Sequence, residues 1–214
     1  EKTLQKYYNM YNRKYKVKEL YSYNNMKQFF IVGDGLNSCP LFFMIKRGDL
    51  MAKVVCFDQS TRCSGWAVFS GGEYIESGVI NMSKSKLDTD ERSFEMAKEI
   101  WKIIKKYKPD YVILENVQKQ TSISITLVLA RLQGMIIGYA EAHGIKVHIL
   151  SPTVWRKSLS FNQGPKVKRA ELKQQSIDYV KEHYGLNVTD DESDAVCLAE
   201  AAHKIFDFDN LWGD

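Results

Sequence analysis

KVVCFDQSTRCSGWAVFSGGEYIESGVI, residues 53–80, decides the architecture of this chain. Lys53–Asp58 is a short apolar run that reads as a buried strand. Gly65–Phe69 reads as a second strand and, after the hairpin signal Gly71-Gly72, Tyr74–Ile80 as a third. The first run ends in a carboxylate, Asp58, where an ordinary core would want an apolar side chain. A later run, Tyr111–Leu114, ends the same way at Glu115, and Asp191 and Asp194 open a helix near the C-terminus. Acids in such places are costly unless something cationic compensates them. A hard divalent ion, Mg²⁺ or Mn²⁺, suits three or four converging oxygen ligands.

Working outward, Asp88 to about Tyr107 has a helical period, with Phe94, Ala97, Ile100, Trp101 and Ile104 on one face and Pro109 as a stop. A long helix is expected over roughly Ser122–His143 and a strand over Ile145–Ile149. Ser151 caps a short helix with Pro152 in its first turn. Helices follow over about Val167–His183 and Asp190–Phe206. The order β-β-β-α-β-α-β-α-α-α predicts an α/β fold, a mixed five-stranded sheet with helices on both faces. Asp58 and Glu115 then lie on adjacent central strands and point to one face. Asp191 and Asp194, at i and i+3, share the first turn of a helix whose dipole favours anions. Taken alone, Asp191 could be a cap, and Asp190 and Glu192 read as solvent-facing acids.

At 214 residues and 44% apolar composition, the chain can bury one α/β core and still carry an appendage. ITLVLARLQGMIIGYAEA is interrupted by Arg131 and Gln133, so no membrane span is expected. Cys39, Cys56, Cys63 and Cys197 show no CxxC spacing, which fits a reduced, cytoplasmic protein without structural zinc. The four histidines have no ligand spacing, no Ser-His-Asp arrangement stands out, and Gly33-Asp34-Gly35 is too short to be a nucleotide loop. The net charge of +4 divides unevenly: residues 1–50 hold 9 Lys/Arg against 4 Asp/Glu, the remainder 21 against 22. Nucleic-acid binding by the main domain therefore requires a local patch. Segment 151–181 offers one in Arg156, Lys157, Lys166, Lys168, Arg169, Lys173 and Lys181. A solvated helix face is the plain account of these charges. Beside a metal-binding acid cluster, phosphate binding is the better one.

Residues 1–50 read differently. They hold six of the twelve tyrosines and no sustained helical or alternating period. Lys46-Arg47-Gly48-Asp49-Leu50 can be encoded by a purine-rich stretch resembling a bacterial ribosome-binding site, just ahead of Met51. The expectation is a non-native leader ahead of a start at Met51, the alternative a basic arm that binds nucleic acid. The domain proper is then 51–214.

Three blocks in this order, Val54–Ser60 continuing through Gly65-Trp66-Ala67, then Val112–Val117, then Asp191–Val196, make residues 52–206 resemble the RuvC-like Holliday junction resolvases of the RNase H-like superfamily. The resemblance implies a Mg²⁺-dependent endodeoxyribonuclease acting on four-way junctions with two ions. Asp58 would be the shared ligand, and Glu115, Asp191 and Asp194 would complete the shells. Two ions about 4 Å apart stabilise both the attacking and leaving oxygens of a phosphodiester. Arg156 and Lys168 fall near the family's functional lysines, and Arg169 could also serve at the scissile phosphate. Lys119 and Lys157 could track backbone phosphates. Ser60 stands where bacterial members usually have Gly, which points to the phage-type branch. Gln118 stands where they often carry an aromatic that wedges into the junction, so the resemblance does not carry junction opening or cleavage-sequence preference over to this chain.

Along the long helix, Ala130, Gly134, Gly138 and Ala142 form a small-residue stripe between Leu127, Leu132, Met135, Ile136 and Ile137. A helix apolar on nearly all sides is expected to be buried on nearly all sides. The stripe packs either on its own sheet or on the same helix of a homodimer partner. Competing functions are a broader flap or branch nuclease, an actin-like or sugar-kinase-like ATPase, and a non-catalytic DNA-binding module.

Overall fold

The computed structural model describes residues 17–23, 26–31, 43–46, 51–119, 122–206 and 208. Cys39 and Gly33-Asp34-Gly35 lie outside them. The chain divides into two compact units, Glu1–Met51 and Ala52–Asp214. In the first, β1 (Val17–Tyr23), β2 (Met26–Ile31) and β3 (Phe43–Lys46) form an antiparallel sheet in that order. No alternating period announces these strands. Their pairing is a cross-strand property that local pattern carries weakly.

In the second unit, β4 (Lys53–Asp58), β5 (Cys63–Ser70) and β6 (Glu73–Asn81) form an antiparallel meander. Its β5–β6 turn has Gly71 and Gly72 at φ 59° and 80°, a left-handed pair that glycine adopts without strain. Helix α1 (Thr89–Tyr107) then crosses to β7 (Tyr111–Glu115), and α2 (Ile123–Ala142) crosses to β8 (Lys146–Leu150). The sheet order is β6-β5-β4-β7-β8, with β4, β7 and β8 parallel, so the mixed five-stranded sheet is present as expected. Three helices complete the unit: α3 (Pro152–Ser158), α4 (Arg169–Tyr184) and α5 (Asp190–Ile205).

Strand β4 lies between two cores. Val55 and Phe57 pack with Met96, Ile100, Leu132 and Ile136 of α1 and α2. Val54 and Cys56 face the other way, with Trp155, Val180 and Leu198 of α3, α4 and α5. Burying each large apolar side chain contributes about 1.5–3 kcal/mol. Four consecutive buried residues therefore anchor β4 firmly enough to hold a carboxylate at its end. Asp58 and Glu115 continue the alternation of Cys56 and Ile113, which puts both on the α3–α5 face.

Three expectations change. Phe94 does not belong to the buried face of α1: it is exposed, and Met96 is buried there instead, beside Ala97, Ile100 and Ile104. Helix α2 is not buried all round. Val128, Leu132, Gln133, Ile136 and Ala140 face inward, while Ile123, Ile125 and Leu127 are exposed. By length and composition α2 is apolar enough to cross a membrane, despite Arg131 and Gln133. Here one face of it packs on α1 within the fold, and Trp101 stacks on Tyr139. The cap of α5 is Thr189, whose side chain accepts from the Glu192 backbone N–H, so Asp191 is left free of that task.

Helix α5 reaches the sheet because residue 65 is glycine. Gly65 pairs with Asp58 across β4–β5, and a Cβ on it would stand 1.8 Å from the Asp191 carbonyl oxygen. Gly65→Ala is expected to force the first turn of α5 off the sheet and destabilise the protein by about 1–3 kcal/mol, read by urea denaturation. Unchanged stability would show that α5 does not depend on this contact.

Candidate active site

The four acids predicted from sequence come together at one end of the sheet, on the face covered by α3, α4 and α5. Asp58 ends β4 and Glu115 ends the neighbouring parallel strand β7. Asp191 and Asp194 arrive from the first turn of α5, lying over Gly65. Burial pushes the Asp58 carboxyl well above the usual carboxylate range. Glu115, Asp194 and Asp191 push it further, in that order, and Arg156 opposes them. Burial also raises Glu115 and Asp194.

Each acid is partly compensated by groups from other elements. The buried Trp155 indole donates to Glu115 Oε2 at 2.7 Å. The Glu115 carbonyl accepts from Gln133 Nε2 at 2.8 Å and from Gln59 Nε2. The Ser176 hydroxyl donates to Asp194 Oδ1. Arg156 reaches Asp194 Oδ2 at 4.0 Å, and its guanidinium lies 4.6 Å over the Trp155 ring. The Cys63 thiol donates to Asp191, and burial together with that bond pushes its pKa up to about 12. Trp155, Gln59 and Ser176 were not singled out in the sequence, and Gln133 only as an interruption of the apolar run. No local signal marks them, since their partners are 18 to 56 residues away.

The neighbouring acids have other work. Asp190 is bonded to Lys173, which holds its carboxyl below the usual range, and Glu192 accepts from the Ser77 hydroxyl at 2.6 Å. Both are anchored, against the expectation that they face solvent. Among the basic residues, Lys119, Lys157, Lys166, Lys168 and Arg169 are exposed. Lys173 is occupied by Asp190, and Arg156 is drawn in among the acids. Arg169 nevertheless lies near enough to lower Glu115.

Among the described residues, no three His, Cys, Asp or Glu side chains already stand in the tight arrangement of an ion's shell. The donor set fits a hard divalent ion all the same. It consists of carboxylate oxygens, drawn together with Arg156 only partly engaged among them and with Arg169 and Lys173 acting from their flanks. Asp58, Glu115, Asp191 and Asp194 are the residues that would hold it.

The raised carboxyls make metal-free stability depend on pH. In the folded state Asp58, Glu115 and Asp194 keep protons that the unfolded chain releases near its ordinary value of about 4. The contribution of these three groups to stability without metal is therefore greatest at acid pH and falls as pH rises through their folded values, while Asp190, whose carboxyl is lowered, contributes in the opposite direction. Asp58→Asn is expected to flatten that fall and raise Tm in EDTA at neutral pH, by about 2–4 °C per kcal/mol of repulsion relieved. A lower Tm for the variant, with the same pH slope, would contradict this.

The family model described as crossover junction endodeoxyribonuclease RuvC matches residues 54–201. The RuvC of Dictyoglomus turgidum is 28% identical over 103 residues, covering 46% of this chain and 65% of the relative. That of Corynebacterium glutamicum is 26% identical over 120 residues, covering 55% and 52%. The chain thus spans between half and just under two thirds of the length of these curated relatives. A Thermus thermophilus RuvC structure in complex with Holliday junction substrate superposes with TM-score 0.56 at 14% identity, over 71% of this chain and 93% of that one. The Fowlpox virus resolvase, solved with Holliday junction DNA, gives 0.50 at 18% identity, over 72% and 97%. These two likenesses agree with this fold over about seven tenths of the chain. With its family model covering well over half of the sequence and all three acid-bearing segments, the chain belongs to the crossover junction endodeoxyribonuclease RuvC family.

Proposed function

We propose that this protein is a Mg²⁺-dependent endodeoxyribonuclease that cleaves four-way DNA junctions, with its catalytic centre in residues 52–206. The observation that carries the proposal is the convergence of Asp58, Glu115, Asp191 and Asp194 from three segments into one under-compensated cluster. Asp58, at the centre of the repulsion, is the natural shared ligand, flanked by the other three. Divalent ions held there would supply charge stabilisation to the attacking and leaving oxygens of a phosphodiester. Mn²⁺, with the same preference for oxygen ligands, would substitute.

Exposed Lys119, Lys157, Lys166, Lys168 and Arg169 would bind backbone phosphates without reading sequence. Arg156 already lies at the acids, the place where a scissile phosphate would be met. Relatives solved with Holliday junctions support the branched substrate. Ser60, in place of the usual glycine, supports the phage-type branch.

Asp58→Asn and Glu115→Gln are each expected to abolish Mg²⁺-dependent cleavage of a four-way junction while leaving junction binding in place. Gel assays on junction, flap and duplex DNA measure this, with ATP hydrolysis followed alongside. Cleavage retained by either variant, or ATP turnover without cleavage, would refute the assignment.

We also infer that the working form is a homodimer. The outer face of α2 carries Ile123, Leu127, Ala130, Gly134, Gly138 and Ala142, all exposed, and nothing lies within 4 Å of a Cβ built on Gly134 or Gly138. The stripe therefore does not pack on its own sheet. A second copy would cover it and present two sites to the two strands of a junction. Sedimentation at micromolar concentration should show a dimer that Leu127→Arg dissociates; a monomeric wild type would overturn the inference.

A further inference from the structure

The two strands that carry Asp58 and Glu115 lose their main-chain pairing where the acids begin. The β4–β7 register ends at Phe57 opposite Leu114, although Glu115 still pairs with Leu150 on the other side. At that point the Glu115 carbonyl accepts two side-chain amides, Gln59 Nε2 from the end of β4 and Gln133 Nε2 from α2. Both glutamines are about nine-tenths buried, at 8% exposure each. Gln133 lies on the inward face of α2 beside Leu132 and Ile136, where an apolar residue would pack as well. A buried amide is costly there unless its bond matters. Gln59 accepts a further cost, since its Oε1 is buried without a partner.

We infer that Gln59 and Gln133 are positioning residues: their two amides stand in for the missing ladder bond and fix the Glu115 backbone, and so the spacing of its carboxylate from Asp58. The inference rests on the reading of these acids as a metal site. Trp155 holds the Glu115 carboxylate itself, so the glutamines act on the main chain and the indole on the side chain. Gln59 ties β7 to β4, and Gln133 ties it to α2.

Two donors on one carbonyl make the arrangement redundant. A carbonyl oxygen has two lone pairs, and either amide alone keeps it bonded. Removing one leaves the group satisfied, whereas removing both orphans a buried acceptor. The two substitutions should therefore be strongly non-additive. Methionine matches glutamine in length and lacks the donor, so Gln59→Met, Gln133→Met and the double variant form the test.

Three quantities are measured on the full chain: Mn²⁺ affinity without DNA by electron paramagnetic resonance, the junction Kd in EDTA, and Tm in EDTA. Each single variant is expected to weaken Mn²⁺ binding by less than about threefold, and the double variant by roughly tenfold or more. The junction Kd should stay put in all three. A packing role alone would lower Tm in each variant and leave Mn²⁺ affinity unchanged, which overturns the inference. So would a double variant whose loss in Mn²⁺ affinity equals the product of the two single losses. Should the wild type itself bind no Mn²⁺, the metal-site reading fails, a result distinct from a wild type that binds and a double variant that binds equally well.

Discussion

Repulsion among carboxylates drawn from three distant segments is the constraint around which the second unit is arranged. Asp58 sits at its centre, raised by its own burial and by Glu115, Asp194 and Asp191. No packing interaction calls for such a cluster, and each nearby element contributes something to make it tolerable. Trp155 and Arg156 come from α3, Ser176 from α4 and the first turn of α5 from over Gly65. These groups hold the acids in place and neutralise only part of their charge. The residual repulsion is the free energy that a divalent cation can recover on binding.

The apolar structure makes that strain affordable. Strand β4 is buried on both faces, one core lying against α1 and α2 and the other against α3, α4 and α5. A strand fixed from both sides can carry a charge at its tip without fraying. The same logic applies to β7, whose Tyr111–Leu114 segment is wholly buried ahead of Glu115. The closeness of α5 is a backbone matter, resting on the absence of a side chain at residue 65.

Much of this was legible in the sequence because its signals are local. Asp58 and Glu115 announced themselves as acids closing apolar runs, and the Gly71-Gly72 hairpin and the helical periods set the element order. Asp191 and Asp194 were readable as an i, i+3 pair at a helix start. Residues whose meaning lies in long-range contact were not readable. Nothing local marks Trp155, whose indole meets a carboxylate 40 residues away. Gln133 looked like an interruption of an apolar helix and proved to be its link to Glu115. Composition also misjudged α2, since an all-round apolar helix reads as buried whether its outer face is covered by its own fold or left open. Lys173 counted as a free positive charge until Asp190 was found to hold it.

The central claim, that these four acids form a divalent metal centre, is most directly tested by anomalous scattering from a crystal of the protein equilibrated with Mn²⁺. The account predicts anomalous peaks among the carboxylates of Asp58, Glu115, Asp191 and Asp194, lost in a crystal of Asp58→Asn. Saturating Mn²⁺ that leaves this cluster without a peak, in a protein that still cleaves junction DNA, would contradict it.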